Sequence, residues 1–590
     1  MPPRGVTVMK KPKDTRGSLL KLLKYVGQYK YVIAAVLAMA AVSNVLSLLG
    51  PNLAGKAINE AAAGVGKVNF DAVMYYAKRM LIVYVSASLL TIAINVIMMY
   101  VSKWIARNMR RDVFEKLMRL PVSYFDRNSA GDIISRVSYD IDVVSTCIAT
   151  DVVQIITSLI TVVGSLFMML TISPVLSIIV LVTIPLSVGY AVNMRKKTQP
   201  RYAKRSKAYG VMNGFVEEML SGQKTIQAYA YEGKVSGSFD EVNRGAADAY
   251  YDADYYGSTM GPTMGGINNI SLGLIGLLGS ILYMFGKASL GQISSFILYS
   301  RKFSGPINEI ANIINELFSA LAAAERVFNL LDEDEEPADA AEPKVLDNVR
   351  GDVEMEHVSF GYVPGKIILH DLSLKADPGK LVAIVGPTGA GKSTIINLLM
   401  RFYDNQGGSI YVDGTEIRDY TRASLRTAYA MVLQDTWLFN GTIFENIAYG
   451  KEGATMDEVV AAAKVAHIHP FIMRLPEGYN TVISDDGGNI SKGQKQLLTI
   501  ARAMLYDAKM LILDEATSNV DTGTEREVQD AMRRLMQDKT CFVIAHRLST
   551  IKNADTILVV NNGDVVEQGT HAELMRKKGF YHQLYSAQFE

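Results

Sequence analysis

The sequence predicts a bundle of membrane-spanning α-helices followed by a separate α/β domain, and three observations support this prediction. Apolar residues are concentrated in long uncharged stretches before about residue 320. An acidic segment with two prolines comes next, and beyond it short apolar strands alternate with helical segments. Because 590 residues are too many for one hydrophobic core, this asymmetry divides the chain into a membrane half and an α/β half.

Uncharged runs predict six membrane spans. A hydrocarbon core of about 30 Å requires roughly 20 apolar residues in a helix. Between Asp151 and Arg195 lie 43 uncharged residues interrupted by Ser173-Pro174, which is the length of two spans joined by a tight turn. The predicted spans lie near residues 31–55, 80–102, 152–172, 174–194, 262–286 and 288–310.

The distribution of Lys and Arg predicts which side of the membrane each loop occupies. Basic clusters precede the first span and follow the second and fourth, whereas the turns near residues 173 and 287 carry almost no positive charge. We therefore expect a multi-pass protein of the cytoplasmic membrane, with both termini and the α/β domain in the cytosol. Residues 19–31 predict an amphipathic helix on the inner membrane surface, with a soluble leader as the alternative.

Two long cytosolic loops each contain a glycine break, at residues 125–131 and 220–223. We expect the chain to turn there through a short transverse helix. Such turns are where a membrane domain could contact the α/β domain.

Arg301 and Lys302 lie inside the sixth predicted span. An ionisable side chain at membrane depth usually faces the bundle interior or a water-filled cavity, so both residues are candidates for lining a transport path. The alternative is a shallow span in which both cations already lie near lipid headgroups.

Composition excludes several classes of function. The formal net charge of +1, without a dominant basic arm, gives no case for a nucleic-acid partner. The two cysteines, Cys147 and Cys541, lie in different halves and are read as buried thiols rather than a disulfide. All 7 histidines come after residue 356, which excludes a histidine metal site in the membrane half.

Residues 332–343 are acidic, contain two prolines and lack large apolar side chains, which predicts a solvated linker. We accordingly place a transmembrane domain at residues 1–331, an acidic linker at residues 332–350 and the α/β domain at residues 351–590.

The strongest single motif is a G-x-x-x-x-G-K-S loop that follows an apolar strand and precedes a helical segment. Its glycines let backbone N–H groups approach phosphates, its lysine reaches the β- and γ-phosphates, and its serine hydroxyl can bind Mg²⁺. The sequence therefore predicts a P-loop nucleoside triphosphatase fold. The predicted phosphate-binding residues are Gly386, Pro387, Thr388, Gly389, Ala390, Gly391, Lys392, Ser393 and Thr394.

Acidic residues follow a second apolar strand, where Asp514 and Glu515 end the run from Met510. An acid at the tip of a buried strand beside the P-loop can hold the metal and its water shell, and the next acid can polarise the attacking water. His546 ends another apolar strand and could donate a hydrogen bond to the γ-phosphate.

These motifs resemble those of the ATP-binding cassette (ABC) superfamily and occur in the same order along the chain. Nearly the whole chain looks like the exporter half-transporters of that superfamily. The P-loop is similar to Walker A, and Leu511 to Asp514 to Walker B. Tyr362 stands 24 residues ahead of Gly386, where the family stacks an aromatic ring on adenine. The other matching positions are Gln434 (Q-loop), Ser491, Gly493 and Gln494 (signature motif), Asp521 (D-loop) and His546 (switch histidine).

The resemblance implies ATP and Mg²⁺ as cofactors, with Ser393, Gln434 and Asp514 near the metal and Glu515 and His546 in catalysis. It also implies that two cassettes close head to tail around two ATP molecules, each bound by one chain's Walker A and the other chain's signature. The expected partners are a second half-transporter chain, the lipid bilayer and a small amphipathic substrate.

Two departures from the family pattern affect the predicted partner. Lys492 occupies a signature position where glycine is common, and residues 484–487 differ from the usual Gly-Glu-x-Gly. Exporters built from two different chains often pair one altered site with one intact site, so the sequence favours a heterodimer over a homodimer.

The function expected from the resemblance is ATP-driven export of amphipathic or hydrophobic compounds by alternating access, with drug-like molecules as the leading class. A lipid or lipopeptide flippase or exporter is one alternative. An ATP-gated regulatory membrane protein is another, although Glu515 argues against it because a gate that rarely hydrolyses ATP has little need of a catalytic acid.

Overall fold

The structure is a computed structural model that describes residues 15–64, 66–434, 436–483, 490–514, 522–545 and 548–589. The chain divides into two compact units. The first, here the helical unit, runs to Leu120 and continues over Asn128–Glu335; the second, the α/β unit, comprises Pro121–Arg127 and Glu336–Glu590.

Long helices build the helical unit, and short π-helical segments at Arg136–Asp140 and Cys147–Asp151 interrupt one of the longer stretches. Four of its helices begin after residues whose side chains cap them: Asn69, Ser129, Ser173 and Ser289. The helices are α1 (Thr15–Gly27), α2 (Lys30–Ala61), α3 (Phe70–Arg119), α5 (Ala130–Ser135), α6 (Ile141–Thr146), α7 (Val152–Ile172), α8 (Pro174–Ser221), α9 (Gln223–Ala228), α10 (Glu232–Ser258), α11 (Met260–Met284) and α12 (Leu290–Leu331), with α4 (Val122–Arg127) in the α/β unit.

Within the described residues, 5 helical stretches are long and apolar enough to cross a membrane. They are Lys30–Ala61, Phe70–Arg119, Ala130–Ile172, Pro174–Ser221 and Glu232–Met284. The first four each contain a predicted span, and the fifth contains the predicted span 262–286 except for its last two residues. The sixth predicted span falls in α12, which is more polar because serines and the pair Arg301-Lys302 interrupt its apolar residues.

A row of hydrogen bonds joins α12 to α2 around Pro51. Proline has no N–H, so the carbonyl four residues earlier, at Ser47, lacks its helical donor. The Lys302 ammonium donates to that carbonyl at 2.9 Å and to the Ser47 hydroxyl at 2.5 Å. Tyr299 donates to the Leu48 carbonyl at 2.5 Å. Lys302 therefore stabilises the contact between α12 and α2. The sequence-based alternatives for this cation were only a transport path or lipid headgroups. Arg301 beside it is exposed.

Three sheets and eleven helices form the α/β unit in its described part. A 4-stranded antiparallel sheet has the order β2-β1-β4-β5, a 6-stranded sheet the order β12-β11-β3-β10-β9-β6, and β7 pairs with β8. The strands are β1 (Val353–Phe360), β2 (Leu369–Ala376), β3 (Leu381–Val385), β4 (Gly407–Val412), β5 (Thr415–Glu416), β6 (Tyr429–Val432), β7 (Gly441–Thr442), β8 (Val482–Ile483), β9 (Met510–Asp514), β10 (Thr540–Ile544), β11 (Thr556–Asn561) and β12 (Asp564–Gly569). The remaining helices are α13 (Lys392–Leu399), α14 (Arg422–Thr427), α15 (Ile443–Ala448), α16 (Met456–Val465), α17 (His469–Ile472), α18 (Lys492–Tyr506), α19 (Thr522–Leu535), α20 (Leu548–Lys552), α21 (His571–Lys577) and α22 (Phe580–Phe589).

The central strands of the 6-stranded sheet are parallel and buried on both faces. In β3, β9 and β10 nearly every side chain is buried, as near-continuous apolar runs in a parallel sheet require. One apolar core packs on each face of this sheet. Cys541 lies in one of these cores as a buried free thiol, and Cys147 is a buried free thiol in the helical unit, as the sequence predicted.

The acidic linker forms ion pairs that its composition does not show. In the helical unit, its first residues form ion pairs, Asp332 with Lys21 and Glu335 with Lys116. The Lys116–Glu335 distance is 3.1 Å. Residues 332–335 are nevertheless exposed, in keeping with the solvated linker that the sequence predicts. Composition alone does not show that basic partners lie nearby.

Within the α/β unit, a cluster of arginines binds the next linker residues. Arg426 makes two hydrogen bonds to the Glu336 carboxylate, at 2.5 and 3.1 Å. Arg422, only 6% exposed, donates to Asp339 at 3.2 Å and to Asp404 at 3.0 Å. A buried guanidinium needs such anions, so the linker carboxylates complete the packing of the α/β unit.

We predict that Arg422→Met destabilises the α/β unit by about 2 to 3 kcal/mol, because two carboxylates lose their buried partner. The loss of stability is smaller than for a fully buried ion pair, because the side chains of Asp339 and Asp404 are partly exposed to solvent. Differential scanning calorimetry of the purified chain should show the transition of the α/β unit lowered by about 5 to 10 °C.

The matched control is Arg533→Met, which removes an exposed pair with Asp530 and should cost less than about 1 kcal/mol. Equal unfolding temperatures for the two variants would show that the arginine cluster does not stabilise the unit.

Candidate functional site

The P-loop joins the carboxyl end of β3 to the start of α13, as the motif predicted. Gly391 caps α13 with a φ of +108°, a left-handed conformation that residues with a side chain rarely adopt. A Cβ at Gly386 would lie 2.1 Å from the Val560 carbonyl oxygen, so only glycine fits there. Thr388 and Gly389 at the rim of the loop are exposed, which leaves its backbone N–H groups accessible to a phosphate.

The Lys392 ammonium is held over this loop. It donates to the carbonyl oxygens of Gly386 at 2.8 Å and Pro387 at 2.9 Å. Burial lowers the pKa of Lys392, and the nearby Asp514 carboxylate opposes that shift. Phosphate oxygens accept hydrogen bonds from an ammonium more strongly than neutral carbonyls do, so the cation lies where it can bind a phosphate.

Two further predicted residues follow parallel strands of the same sheet. Asp514 ends β9 and lies opposite Ile544 of β10, the strand next to β3. Gln434 is exposed two residues beyond the end of β6, which pairs with β9. Because the carboxyl ends of parallel strands meet at one edge, the structure brings Asp514, Gln434 and the P-loop to the same edge of the sheet.

Ser393 is exposed at the start of α13, whereas Thr394 beside it is buried. A hydroxyl, a carboxylate and an amide oxygen are the donors that Mg²⁺ prefers. Ser393, Asp514 and Gln434 therefore have the chemistry to hold that ion. Glu515, Asp521 and His546, and the altered segment 484–487, lie outside the described residues.

Tyr362 is fixed beside the P-loop helix. Its hydroxyl accepts a hydrogen bond from Asn397 at 2.9 Å and lies 3.3 Å from the Thr394 hydroxyl. Its ring packs edge-on against Phe360, at 5.0 Å between centroids, and against Tyr403, at 4.9 Å. The ring remains 40% exposed, so it can offer a surface to an adenine.

Tyr403 connects this aromatic cluster to α4. Its hydroxyl donates to the Asp126 carboxylate at 2.5 Å, and burial together with this carboxylate raises the pKa of Tyr403. Helix α4 comes from the first predicted cytosolic turn, yet residues Pro121–Arg127 group with the α/β unit. The expectation that this turn contacts the α/β domain is thus confirmed.

Sequence reasoning did not find Tyr403, Asn397 or Asp126 as site residues. Asp126 lies in the turn that the glycine break predicted, but its partner is 277 positions away. No local pattern pairs residues at that separation.

The signature-like residues begin helix α18. Ser491 and Gln494 form a capping box, with 2.9 Å from the Ser491 amide to Gln494 Oε1 and 3.3 Å from the Gln494 amide to Ser491 Oγ. Gly493 is buried, whereas Ser491 and Lys492 are exposed. This helix N-terminus can therefore meet an anion carried by another molecule, and Lys492 adds a positive charge beside it.

Comparisons with known proteins agree with this geometry. The family described as "ABC transporter transmembrane region" matches residues 33–307, and the family described as "ABC transporter" matches residues 369–518. The chain is 42% identical over 586 residues to the Bacillus subtilis protein described as "Uncharacterized ABC transporter ATP-binding protein YfiC", covering 99% of this chain and 96% of that protein.

A second relative has a described substrate. The chain is 45% identical over 518 residues to the "Fatty acid ABC transporter ATP-binding/permease protein" of Mycobacterium bovis, covering 88% of this chain and 82% of that protein. Among solved structures, a bacterial Atm1-family ABC exporter with ATP bound matches with a TM-score of 0.76 and 29% identity, covering 95% of this chain and 100% of that one.

We predict that Tyr362→Ala weakens ATP binding about tenfold, because an aromatic ring stacked on a base contributes about 1 to 3 kcal/mol. Tyr362→Phe keeps the ring and should bind ATP within about threefold of the unaltered chain, since it loses only a hydrogen bond between neutral groups. Equilibrium binding of ATP to the purified proteins measures both. Equal losses in the two variants would assign the effect to the Asn397 and Thr394 contacts instead of stacking.

Proposed function

This chain belongs to the ABC transporter family, and on that premise we propose that it exports amphipathic or hydrophobic compounds by alternating access. It is an exporter-type half-transporter, with a helical transmembrane domain followed by an α/β nucleotide-binding domain, so the predicted fold class is confirmed. It is an ATPase, and half-transporters of this type work as dimers. The observation that carries the proposal is Lys392 held over the P-loop beside Asp514.

In the proposed mechanism, ATP binds with its phosphates in the P-loop and its adenine against Tyr362. The P-loop N–H groups and Lys392 neutralise phosphate charge. Ser393, Asp514 and Gln434 would hold Mg²⁺, which supplies Lewis-acid stabilisation of the transferred phosphoryl group. We assign to Glu515 the polarisation of the attacking water and to His546 a hydrogen bond to the γ-phosphate.

A second chain is proposed to complete each ATP site. Ser491, Gly493, Gln494 and the N-terminus of α18 would bind the γ-phosphate of the partner's ATP, with Asp521 also at this interface. We propose a heterodimer, because Lys492 and the altered segment 484–487 depart from the family pattern in the residues that serve the partner's site.

Helix α4 is the proposed route by which ATP binding moves the membrane helices. It follows α3 directly in the chain and precedes α5, and its Asp126 accepts the Tyr403 hydroxyl at 2.5 Å. Tyr403 contacts the ring of Tyr362, which we place against adenine. A change at the nucleotide can therefore reach α3 through two side chains.

The transported compound is proposed to be amphipathic, with the protein in the cytoplasmic membrane and its termini and ATPase domain in the cytosol. Drug-like molecules are one candidate class. A lipid or fatty acid is the second, and the described substrate of the Mycobacterium bovis relative favours it. An ATP-gated regulatory role is less favoured, since Glu515 supplies a catalytic acid that a gate does not need.

To test the partner, the chain alone is placed in lipid nanodiscs and its Mg²⁺-dependent ATP turnover is measured, with Glu515→Gln as the matched control. If the chain requires a different partner, we expect turnover no higher than that of Glu515→Gln, although ATP binds. Robust turnover that Glu515→Gln abolishes would instead show a functional homodimer and overturn the heterodimer proposal.

Coupling through α4 is tested with Tyr403→Phe, which removes one charge-assisted hydrogen bond of about 1.5 to 3 kcal/mol. In the active dimer we expect basal ATP turnover to change less than about twofold, while its stimulation by a transported amphiphile falls about fivefold or more. Tyr411→Phe on β4, a hydroxyl outside this cluster, is the control. Unchanged stimulation in Tyr403→Phe would exclude this contact from coupling.

A further inference from the structure

Helices α2 and α3 line an open cavity of about 430 Å³ in the helical unit. Its apolar wall is formed by Leu49 and Leu53 of α2 and by Ile82 and Val83 of α3. The lining positions, 49, 52, 53 and 56 on α2 and 79, 82 and 83 on α3, fall on one side of each helix. The volume lies within the range of small-molecule sites in proteins.

The two helices pack closely beside this cavity. At Gly50 the absence of a side chain lets the Tyr84 hydroxyl approach so closely that a Cβ would lie 2.1 Å from it. Gly50 lies 6 residues before Lys56, and Tyr84 lies 5 residues after Arg79. Lys56 and Arg79 are therefore nearer than this contact to the loop that connects the two helices.

Three polar side chains line the cavity, and two of them are cations: Asn52, Lys56 and Arg79. Lys56 and Arg79 are exposed, and in the described part of the chain no carboxylate forms an ion pair with either. Arg79 stacks on the Tyr75 ring, with its guanidinium 4.3 Å from the ring centroid, which fixes its position without neutralising its charge.

Distances along the helices place both cations at one membrane level. Lys56 comes 26 residues after Lys30, which is about 39 Å at 1.5 Å per residue, and Arg79 comes 24 residues before Lys103, which is about 36 Å. A bilayer is about 40 to 45 Å thick with its headgroups, so a cation this far from the cytosolic cluster reaches the outer headgroup level.

We propose that this cavity binds an amphiphile with an anionic headgroup, carboxylate or phosphate, at the outer membrane surface. Lys56, Arg79 and the Asn52 amide contact the headgroup, and the four apolar residues contact the first part of its alkyl chain. The assignment rests on the proposed function, because it places the substrate class of the exporter at the outer end of the transport path. Charge complementarity favours this occupant, since two cations without acidic partners share one apolar cavity.

The test uses the full chain in phosphatidylcholine nanodiscs with three probes that carry the same photoactivatable alkyl chain: a carboxylate, a monoalkyl phosphate and the neutral alcohol. Mass spectrometry measures labelling of peptides that contain residues 49–56 and 79–83. We expect the anionic probes to label these peptides about tenfold more than the alcohol. Stronger labelling by the carboxylate probe would identify a fatty acid as the ligand class, and stronger labelling by the phosphate probe would identify a phosphate-headed lipid.

Lys56→Gln and Arg79→Gln should each lower anionic labelling toward the level of the alcohol, whereas Lys56→Arg and Arg79→Lys keep the charge and should retain it. The matched control is Lys78→Gln, next to Arg79 on α3 but outside the cavity, and it should leave labelling unchanged. Equal labelling by all three probes would overturn the proposal in favour of non-specific lipid contact. Absence of labelling in the assembled dimer would overturn it in favour of a cavity covered by the partner chain.

ATP turnover measured in the same nanodiscs separates this proposal from the proposed function. Charge-dependent labelling without turnover in any dimer would support the cavity and contradict ATP-driven export. Turnover without charge-dependent labelling would leave the exporter intact and contradict the cavity.

Discussion

Tyr403 donates a hydrogen bond to the Asp126 carboxylate across 2.5 Å, and this contact holds α4, the segment that follows α3 in the chain, against the aromatic cluster beside the P-loop helix. A hydrogen bond to an ionised acceptor is about twice as strong as one between neutral groups. Burial keeps the tyrosine protonated, since its pKa is raised, so the donor persists at any physiological pH. The edge-on packing of Tyr403 on Tyr362 then extends the contact to the P-loop helix.

Much of the fold was predictable because its determinants are local. Runs of apolar residues specify spans, and strand, glycine loop and helix specify the P-loop, whose geometry around Gly386 and Lys392 matches the motif. Contacts between distant residues were not predictable. The ion pairs of the acidic linker were not expected, because composition does not reveal that Arg422 and Arg426 lie beside it.

The candidate site divides in the same way. Residues named by a motif, such as Asp514 and Gln434, reach one sheet edge because parallel strands end there. Ser491 is also placed by a local rule, the capping box at the start of α18, but its own chain does not determine what that exposed helix end meets. A local sequence rule can therefore specify the structure of this helix end without specifying what binds to it.

The cations of the helical unit show which polar groups remain available for a ligand. Lys302 lies inside a predicted span, yet it donates a hydrogen bond to the Ser47 carbonyl, which has no helical donor because residue 51 is proline. Its charge therefore stabilises the packing of α12 on α2. Lys56 on α2 and Arg79 on α3 are exposed, and among the described residues neither forms an ion pair with a carboxylate. Their charge is not required for packing, and in a membrane an uncompensated pair of cations beside an apolar wall is most readily satisfied by an anionic headgroup with an alkyl chain.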